Sequence, residues 1–146
     1  MPDAVDQPSP VDEPARRPEA TLVREVAAVP VQATILRQIL ARWARERGLA
    51  AELAEDLTLA AYEAMANVVA HAYPAGADGT MTVEARVDAA AVTVTVSDTG
   101  HWHDGDSRPG GGRGLLLIRL LAPEVSVTTN PAGTTVRMSW PAPPAR

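Results

Sequence analysis

Glu63, Asn67 and His71 stand four residues apart in the middle of the chain. At 3.6 residues per turn, that spacing places a potential base, an amide oxygen and an imidazole in one stripe along a helix. Within residues 57–73, LTLAAYEAMANVVAHAY, the only other strongly polar side chain is Thr58. Leu57, Ala60, Ala61, Ala64 and Val68 flank the stripe on one side, and Leu59, Met65, Ala66 and Val69 on the other. An ordinary amphipathic surface helix fills its wet face with charged side chains. Here the wet face is one side chain wide. It is either the thin solvated edge of a mostly buried helix or the wall of a ligand pocket.

Three further places carry chemistry. Val92, Val94 and Val96 alternate with Thr93, Thr95 and Ser97, and Asp98 continues the parity of the valines. A carboxylate delivered to the apolar side of a strand needs a partner, because burying it unpaired is costly. The competing role is an Asx-turn acid at a strand end. Residues 110–114, GGGRG, run straight into the apolar stretch LLLIRLL. A helix N-terminus there offers free N–H groups and a positive dipole end to an anion, although most glycine-rich loops are only linkers. Thr134 shares the parity of Val136, Met138 and Trp140, and so points to the side that receives Asp98.

These residues need elements to hold them. Residues 1–19 carry five prolines and many charges without periodicity, and are expected to form a disordered tail. Residues 21–29 suit a first strand near a sheet edge. Pro30 then sits where a helix can start without its N–H. Val31, Ile35, Leu36, Ile39, Leu40 and Trp43 follow at helical spacing, and Gly48 closes the helix. The central helix has Glu52, Glu55 and Asp56 in its first turns, where acids favour the dipole. Met81, Val83, Ala85 and Val87 share one face of a strand, and the following valine strand completes an antiparallel hairpin. Residues 101–112, HWHDGDSRPGGG, form a polar loop, followed by a short apolar helix and two last strands divided by Asn130–Gly133. Residues 142–146 are expected to be a second disordered tail, leaving one domain over residues 20–141.

Composition narrows the function. One core fits in 146 residues, and with no Phe it must be built from Ala, Val and Leu. No Cys means no disulfide, thiol nucleophile or zinc-thiolate site. A net charge of −5 argues against direct binding to nucleic acid. All 13 basic residues are Arg, so a bound phosphate must be neutralised by Arg, backbone N–H groups or a metal. No leader-like or membrane-spanning run is visible, so a soluble cytoplasmic protein is expected.

Taken together, Glu-x-x-x-Asn-x-x-x-His on a helix, Asp-x-Gly at a strand end, a Gly-rich loop entering a helix, and Gly-Thr opening a late strand resemble the ATP-binding domain of the GHKL superfamily. The resemblance covers nearly all of residues 21–140. NVVAHAY, GRGLLLI and the single-domain length look most like the bacterial anti-sigma-factor serine kinases. The fold this implies is α+β, a two-layer α/β sandwich of the Bergerat (GHKL ATPase) type. Its helices cover one face of a mixed, mostly antiparallel sheet, and ATP lies between them under a lid. The element order read above, β-α-α-β-β-loop-α-β-β, agrees with it.

The resemblance also implies roles. Asn67 matches the residue whose side-chain oxygen holds Mg²⁺, and Glu63 matches the general base for the attacking hydroxyl. Asp98 matches the adenine reader, with Gly100 allowing close backbone approach and Thr134 completing the contact. Gly112 and Gly114 match the lid glycines that cradle phosphate. Arg108 and Arg113 are the only basic residues near the expected phosphates; one of them contacts phosphate, or both are merely solvated. His71 matches a position where His is common in the kinases, the alternative being a capping or packing residue. His101 and His103, with Asp104 and Asp106, are read as free loop residues rather than a metal cluster, since a flexible loop does not preorganise ligands. Trp102 either covers the nucleotide or touches a partner.

The implied activity is that of a Mg-ATP-dependent anti-sigma factor and serine/threonine protein kinase. Such a protein binds an RNA polymerase sigma factor, or phosphorylates an anti-sigma-factor antagonist protein, and it is usually a homodimer. Two alternatives stand beside it. One is a nucleotide-gated module that sequesters the sigma factor without kinase activity. The other is an ATP-binding domain related to histidine kinases, against which no dimerisation helix with a phospho-acceptor His precedes the domain.

Overall fold

The computed structural model describes residues 20–101 and 113–142. The tail expected over residues 1–19, most of the polar loop, and residues 143–146 lie outside the described residues. In chain order the elements are β1 (Ala20–Ala27), α1 (Pro30–Glu46), α2 (Ala51–Asn67), a π-helical turn (Val68–Ala72), β2 (Thr80–Val87), β3 (Ala91–Asp98), α3 (Arg113–Leu121), β4 (Glu124–Asn130) and β5 (Gly133–Pro141).

The five strands form one sheet in the order β1-β2-β3-β5-β4. Every pairing in it is antiparallel, so the mostly antiparallel sheet expected is antiparallel throughout the described strands. The alternation sets the layers. Met81, Val83, Ala85 and Val87 of β2, Val92, Val94 and Val96 of β3, and Val136, Met138 and Trp140 of β5 are all buried. Helices cover that face, and α2 lies at the centre, packed on α1, α3, β3 and β5. Its Ala60, Ala61 and Ala64 are fully buried, and such small side chains let the helix approach the sheet closely. A core without Phe is filled by Leu36, Leu40, Leu57 and Ile118, with Met65, Met81 and Met138 and the indoles of Trp43 and Trp140. Trp140 Nε1 donates to the Leu121 carbonyl at 2.9 Å and so pins the end of α3 to β5.

Two details differ from the sequence-based reading. On α1 the buried arc is Ala33, Leu36, Leu40, Trp43 and Ala44, while Val31 and Ile35 are exposed. At 100° per residue those two fall on the far side of the helix from Leu36 and Leu40, so they do not serve the core. At the other end of the chain, the Ala142 N–H donates to the Ala90 carbonyl at 2.9 Å and Ala142 is buried. Order therefore runs one residue into the segment expected as a tail. The β2–β3 turn is closed by Asp88, whose carboxylate accepts the Ala90 and Ala91 N–H groups at 2.9 and 3.0 Å. Those two bonds hold its pKa below the usual carboxylate value. Among the described residues, no helix is long and apolar enough to cross a membrane.

Candidate functional site

Asp98 and Thr134 lie on the same face of the sheet, as strand parity predicts. The two residues are direct partners in the β3–β5 register, and both lie on the helix-covered face, 7% and 2% exposed. Asp98 also takes the competing role, since its Oδ1 accepts the Gly100 N–H at 3.0 Å in an Asx-type turn. One carboxylate oxygen thus shapes the backbone after β3. Opposite it, Thr134 Oγ1 is buried with no hydrogen-bond partner among the described residues. A hydroxyl left so costs about 1–3 kcal/mol unless something satisfies it, and native structures rarely tolerate that without a reason.

Two glycines make this corner possible. A Cβ on Gly100 would run into the carbonyl oxygen of Ala72. That same carbonyl accepts the His101 N–H at 2.8 Å, so the end of the π-helical turn is fastened directly to the backbone beyond β3. Gly133 has φ +137, and a Cβ there would run into the Asp98 carbonyl. The β4–β5 turn can therefore close against the end of β3 and hold Thr134 in register. The expected result for Gly100→Ala is a folded but weaker protein, destabilised by about 1–3 kcal/mol because the methyl must displace backbone rather than a flexible side chain. Urea unfolding monitored by circular dichroism reads that loss, and an unchanged midpoint would refute the packing argument.

Glu63 and Asn67 occupy the last turns of α2, both half-buried and one turn apart. Asn67 Nδ2 is buried without a hydrogen-bond partner among the described residues, so its amide keeps capacity for a ligand. Directly after it the helix widens into the π turn Val68–Ala72. Such one-turn insertions occur mostly inside α-helices and often at functional sites. The stripe therefore does not continue in α-helical phase from Asn67 to His71. His71 is half-buried within the π turn.

Tyr73 is a residue of this site that pattern reading missed. Its hydroxyl donates to the Thr80 carbonyl at 2.6 Å, and its oxygen accepts the Thr99 N–H at 3.1 Å. The Thr99 hydroxyl lies 3.3 Å away, and with the phenolic proton already spent it is the donor. One phenol thus joins the end of α2, the start of β2 and the Asp98–Thr99–Gly100 turn. The only signal in the sequence was its place at the end of the NVVAHAY run.

Arg113 opens α3, and Gly114 follows within it, so the helix starts where the glycine-rich run predicted. Gly112, Trp102, His103, Asp104, Asp106 and Arg108 lie outside the described residues, and His101 is exposed. Among the described residues there is no cluster of His, Cys, Asp or Glu fit to hold a metal by itself. An ion at Asn67 would therefore be held with help from phosphate and water, as suits a cation that dehydrates reluctantly. A groove of about 610 Å³ opens elsewhere, between α1 and α2, and contains none of Glu63, Asn67, Asp98 or Thr134. Location of the site rests on the buried polar atoms rather than on this groove.

Comparison with known proteins agrees with this geometry. Residues 26–140 match the family described as histidine kinase-like ATPase domain. The chain is 32% identical over 133 residues to the serine-protein kinase RsbW of Bacillus pumilus, covering 79% of this chain and 82% of that protein. It is 31% identical over 119 residues to the serine-protein kinase RsbW of Listeria innocua, covering 70% and 76%. Among solved structures it is similar to one of RsbU and RsbW domains from Mycobacterium tuberculosis, with TM-score 0.69 and 25% identity, covering 87% of this chain and 34% of that one. It is also similar to the histidine kinase domain of a blue-light activated histidine kinase from Erythrobacter litoralis, with TM-score 0.53 and 29% identity, covering 62% and 45%.

Proposed function

The chain belongs to the histidine kinase-like ATPase domain family, and from that premise we propose that it is a Mg-ATP-dependent anti-sigma factor and serine/threonine protein kinase. It binds an RNA polymerase sigma factor, or phosphorylates a small antagonist protein on Ser or Thr, and it acts as a homodimer. The observation that supports this most is the pairing of Asp98 with Thr134, two buried polar residues facing each other at the end of a valine-lined sheet. Asp98 already shapes the turn after β3, and the Thr134 hydroxyl, unsatisfied among the described residues, is the group that a ligand there would complete.

The residues divide the work. Asp98 accepts the exocyclic amino group of adenine, and Thr134 supplies the adjoining hydroxyl. Gly100 keeps side-chain atoms out of the space where the base lies against the backbone. Asn67 would hold the magnesium ion through its carboxamide oxygen, while Gly112, Arg113 and Gly114 would meet phosphate with N–H groups and a guanidinium. Bound Mg-ATP supplies the phosphoryl group, and the metal neutralises its charge. Glu63, one turn before Asn67, takes the proton from the attacking Ser or Thr hydroxyl.

The test is incubation with labelled ATP and small antagonist proteins encoded nearby, with and without magnesium, alongside Asn67→Ala. Label should appear on Ser or Thr of one antagonist, only with magnesium and not with the variant. Asn67→Ala should also leave the ligand-free thermal midpoint nearly unchanged, because an amide with an unpartnered buried donor contributes no bond to lose. A sharply lowered midpoint together with intact ATP binding would make Asn67 a packing residue and remove the metal assignment.

A further inference from the structure

Tyr73 occupies a place in the sheet, although it belongs to no strand. In the β2–β3 register Met81 stands opposite Asp98, so the next pair in that register is Thr80 and Thr99. The ladder stops short of it. The Tyr73 hydroxyl stands between the two instead, donating to the Thr80 carbonyl at 2.6 Å and accepting the Thr99 N–H at 3.1 Å. A phenol oxygen thus takes the position of a backbone rung, and it comes from the residue that ends the π turn after Asn67. Glycine makes the slot for its ring. A Cβ on Gly79, just before β2, would run into the ring, and one on Gly100 would meet its Cε1 as well as the Ala72 carbonyl. Thr99 is crowded from the β4–β5 turn too, where a Cβ on Gly133 would lie 2.8 Å from its Cα.

We infer that Tyr73 is a positioning residue for base selection, whose hydroxyl sets the backbone of Thr99 and through it the carboxylate of Asp98. This role rests on the reading of Asp98 as the acceptor for the adenine amino group. Two connections carry it. Asp98 Oδ1 accepts the Gly100 N–H at 3.0 Å, so the carboxylate spans Thr99 and follows any shift of that residue. Asp98 also stands on the last rung of the β2–β3 ladder, directly before the rung that the phenol replaces. Telling an amino group from a carbonyl takes direction as well as charge, because a hydrogen bond weakens steeply as it bends. Without the hydroxyl, the Thr80 carbonyl and the Thr99 N–H either close on each other, drawing Thr99 toward β2, or take water in its place. In both cases Thr99 loses its fixed position. Phe fills the same slot between Gly79 and Gly100, so Tyr73→Phe removes the hydrogen bonds and spares the packing.

Titration calorimetry with ATP and GTP on the parent, Tyr73→Phe, Asp98→Asn and the double variant tests this, beside thermal melts. Tyr73→Phe should bind ATP about two- to tenfold more weakly, the net contribution of a hydrogen bond. GTP affinity should change little, so the preference for ATP narrows. In the Asp98→Asn background the same substitution should weaken ATP by less than about twofold, because residues that act through one another are not additive. Fully additive losses would overturn the inference. So would a Tyr73→Phe protein that melts lower yet keeps its ATP affinity and preference, since the phenol would then serve only the fold. Amide hydrogen exchange without nucleotide separates this failure from failure of the adenine reading. The Gly100 N–H, bonded to Asp98, should exchange faster in Tyr73→Phe. Unchanged exchange would overturn the positioning role. Faster exchange in a protein that binds neither nucleotide would uphold the hold on Asp98 and remove the adenine assignment alone.

Discussion

Asp98→Asn should bind ATP about ten- to a hundredfold more weakly than the parent protein while folding equally well. The substitution is nearly isosteric, and the separation of effects follows from the geometry. Asp98 Oδ1 accepts the Gly100 N–H at 3.0 Å, and an asparagine oxygen can accept that same bond, so the turn after β3 survives. What the amide cannot reproduce is a charged acceptor for the adenine amino group. A hydrogen bond to a charged group contributes about 1.5–3 kcal/mol, which sets the expected range. Discrimination against GTP should narrow as well, because guanine presents a carbonyl where adenine presents the amino donor and the amide can turn its NH₂ toward it. Titration calorimetry with ATP and GTP, beside a thermal melt without ligand, reads all three quantities. A folded Asp98→Asn protein with unchanged ATP affinity would remove the adenine assignment from Asp98.

The placement of Asp98 is legible in the sequence because strand parity is a local property with a period of two. Alternation along residues 81–87, 92–98 and 134–140 was enough to put Asp98 and Thr134 on one buried face, and they turn out to be register partners. Element order was legible for the same reason: each strand and helix announces its own period, and Pro and Gly punctuate them. The π turn was not legible. Its Ala72 carbonyl is held by the His101 N–H and crowded by Gly100, about thirty positions away, and no periodicity in VVAHA reports a contact of that range. Tyr73 was overlooked for a related reason, since its value lies in joining Thr80 to Thr99 rather than in any chemistry of its own. On α1 the apolar pattern is broader than the buried arc, so Val31 and Ile35 share the helical spacing of Leu36 and Leu40 although they face out. Hydrophobicity alone does not distinguish a core side chain from an exposed one when both recur at helical spacing.

Glu63→Gln should lose about 10²–10⁴-fold in the rate of phosphorylating the antagonist, the usual contribution of general-base catalysis, with ATP and sigma-factor affinities unchanged. Glu63 sits half-buried in the last turns of α2, one turn before Asn67. The two residues are close along one helix yet differ in when they act. A metal ligand contributes to holding the nucleotide, whereas a base contributes only as the hydroxyl attacks, so its loss falls on the chemical step and spares the bound state. Gln preserves the size and most of the hydrogen bonding of Glu but cannot accept the proton, and a structural role for Glu63 would therefore survive the change. Single-turnover transfer of label from ATP to the antagonist isolates the chemical step, and calorimetry with ATP and with the sigma factor measures the two affinities separately. In a cell the variant would hold the sigma factor under every condition, because it could still bind the antagonist yet never convert it. Transfer at the parental rate would remove the base assignment from Glu63. A parent protein that binds Mg-ATP and both partners but never transfers phosphate would identify the fold as a nucleotide-gated sequestering module, with Asp98 and Thr134 still reading adenine and Glu63 serving only the helix that carries it.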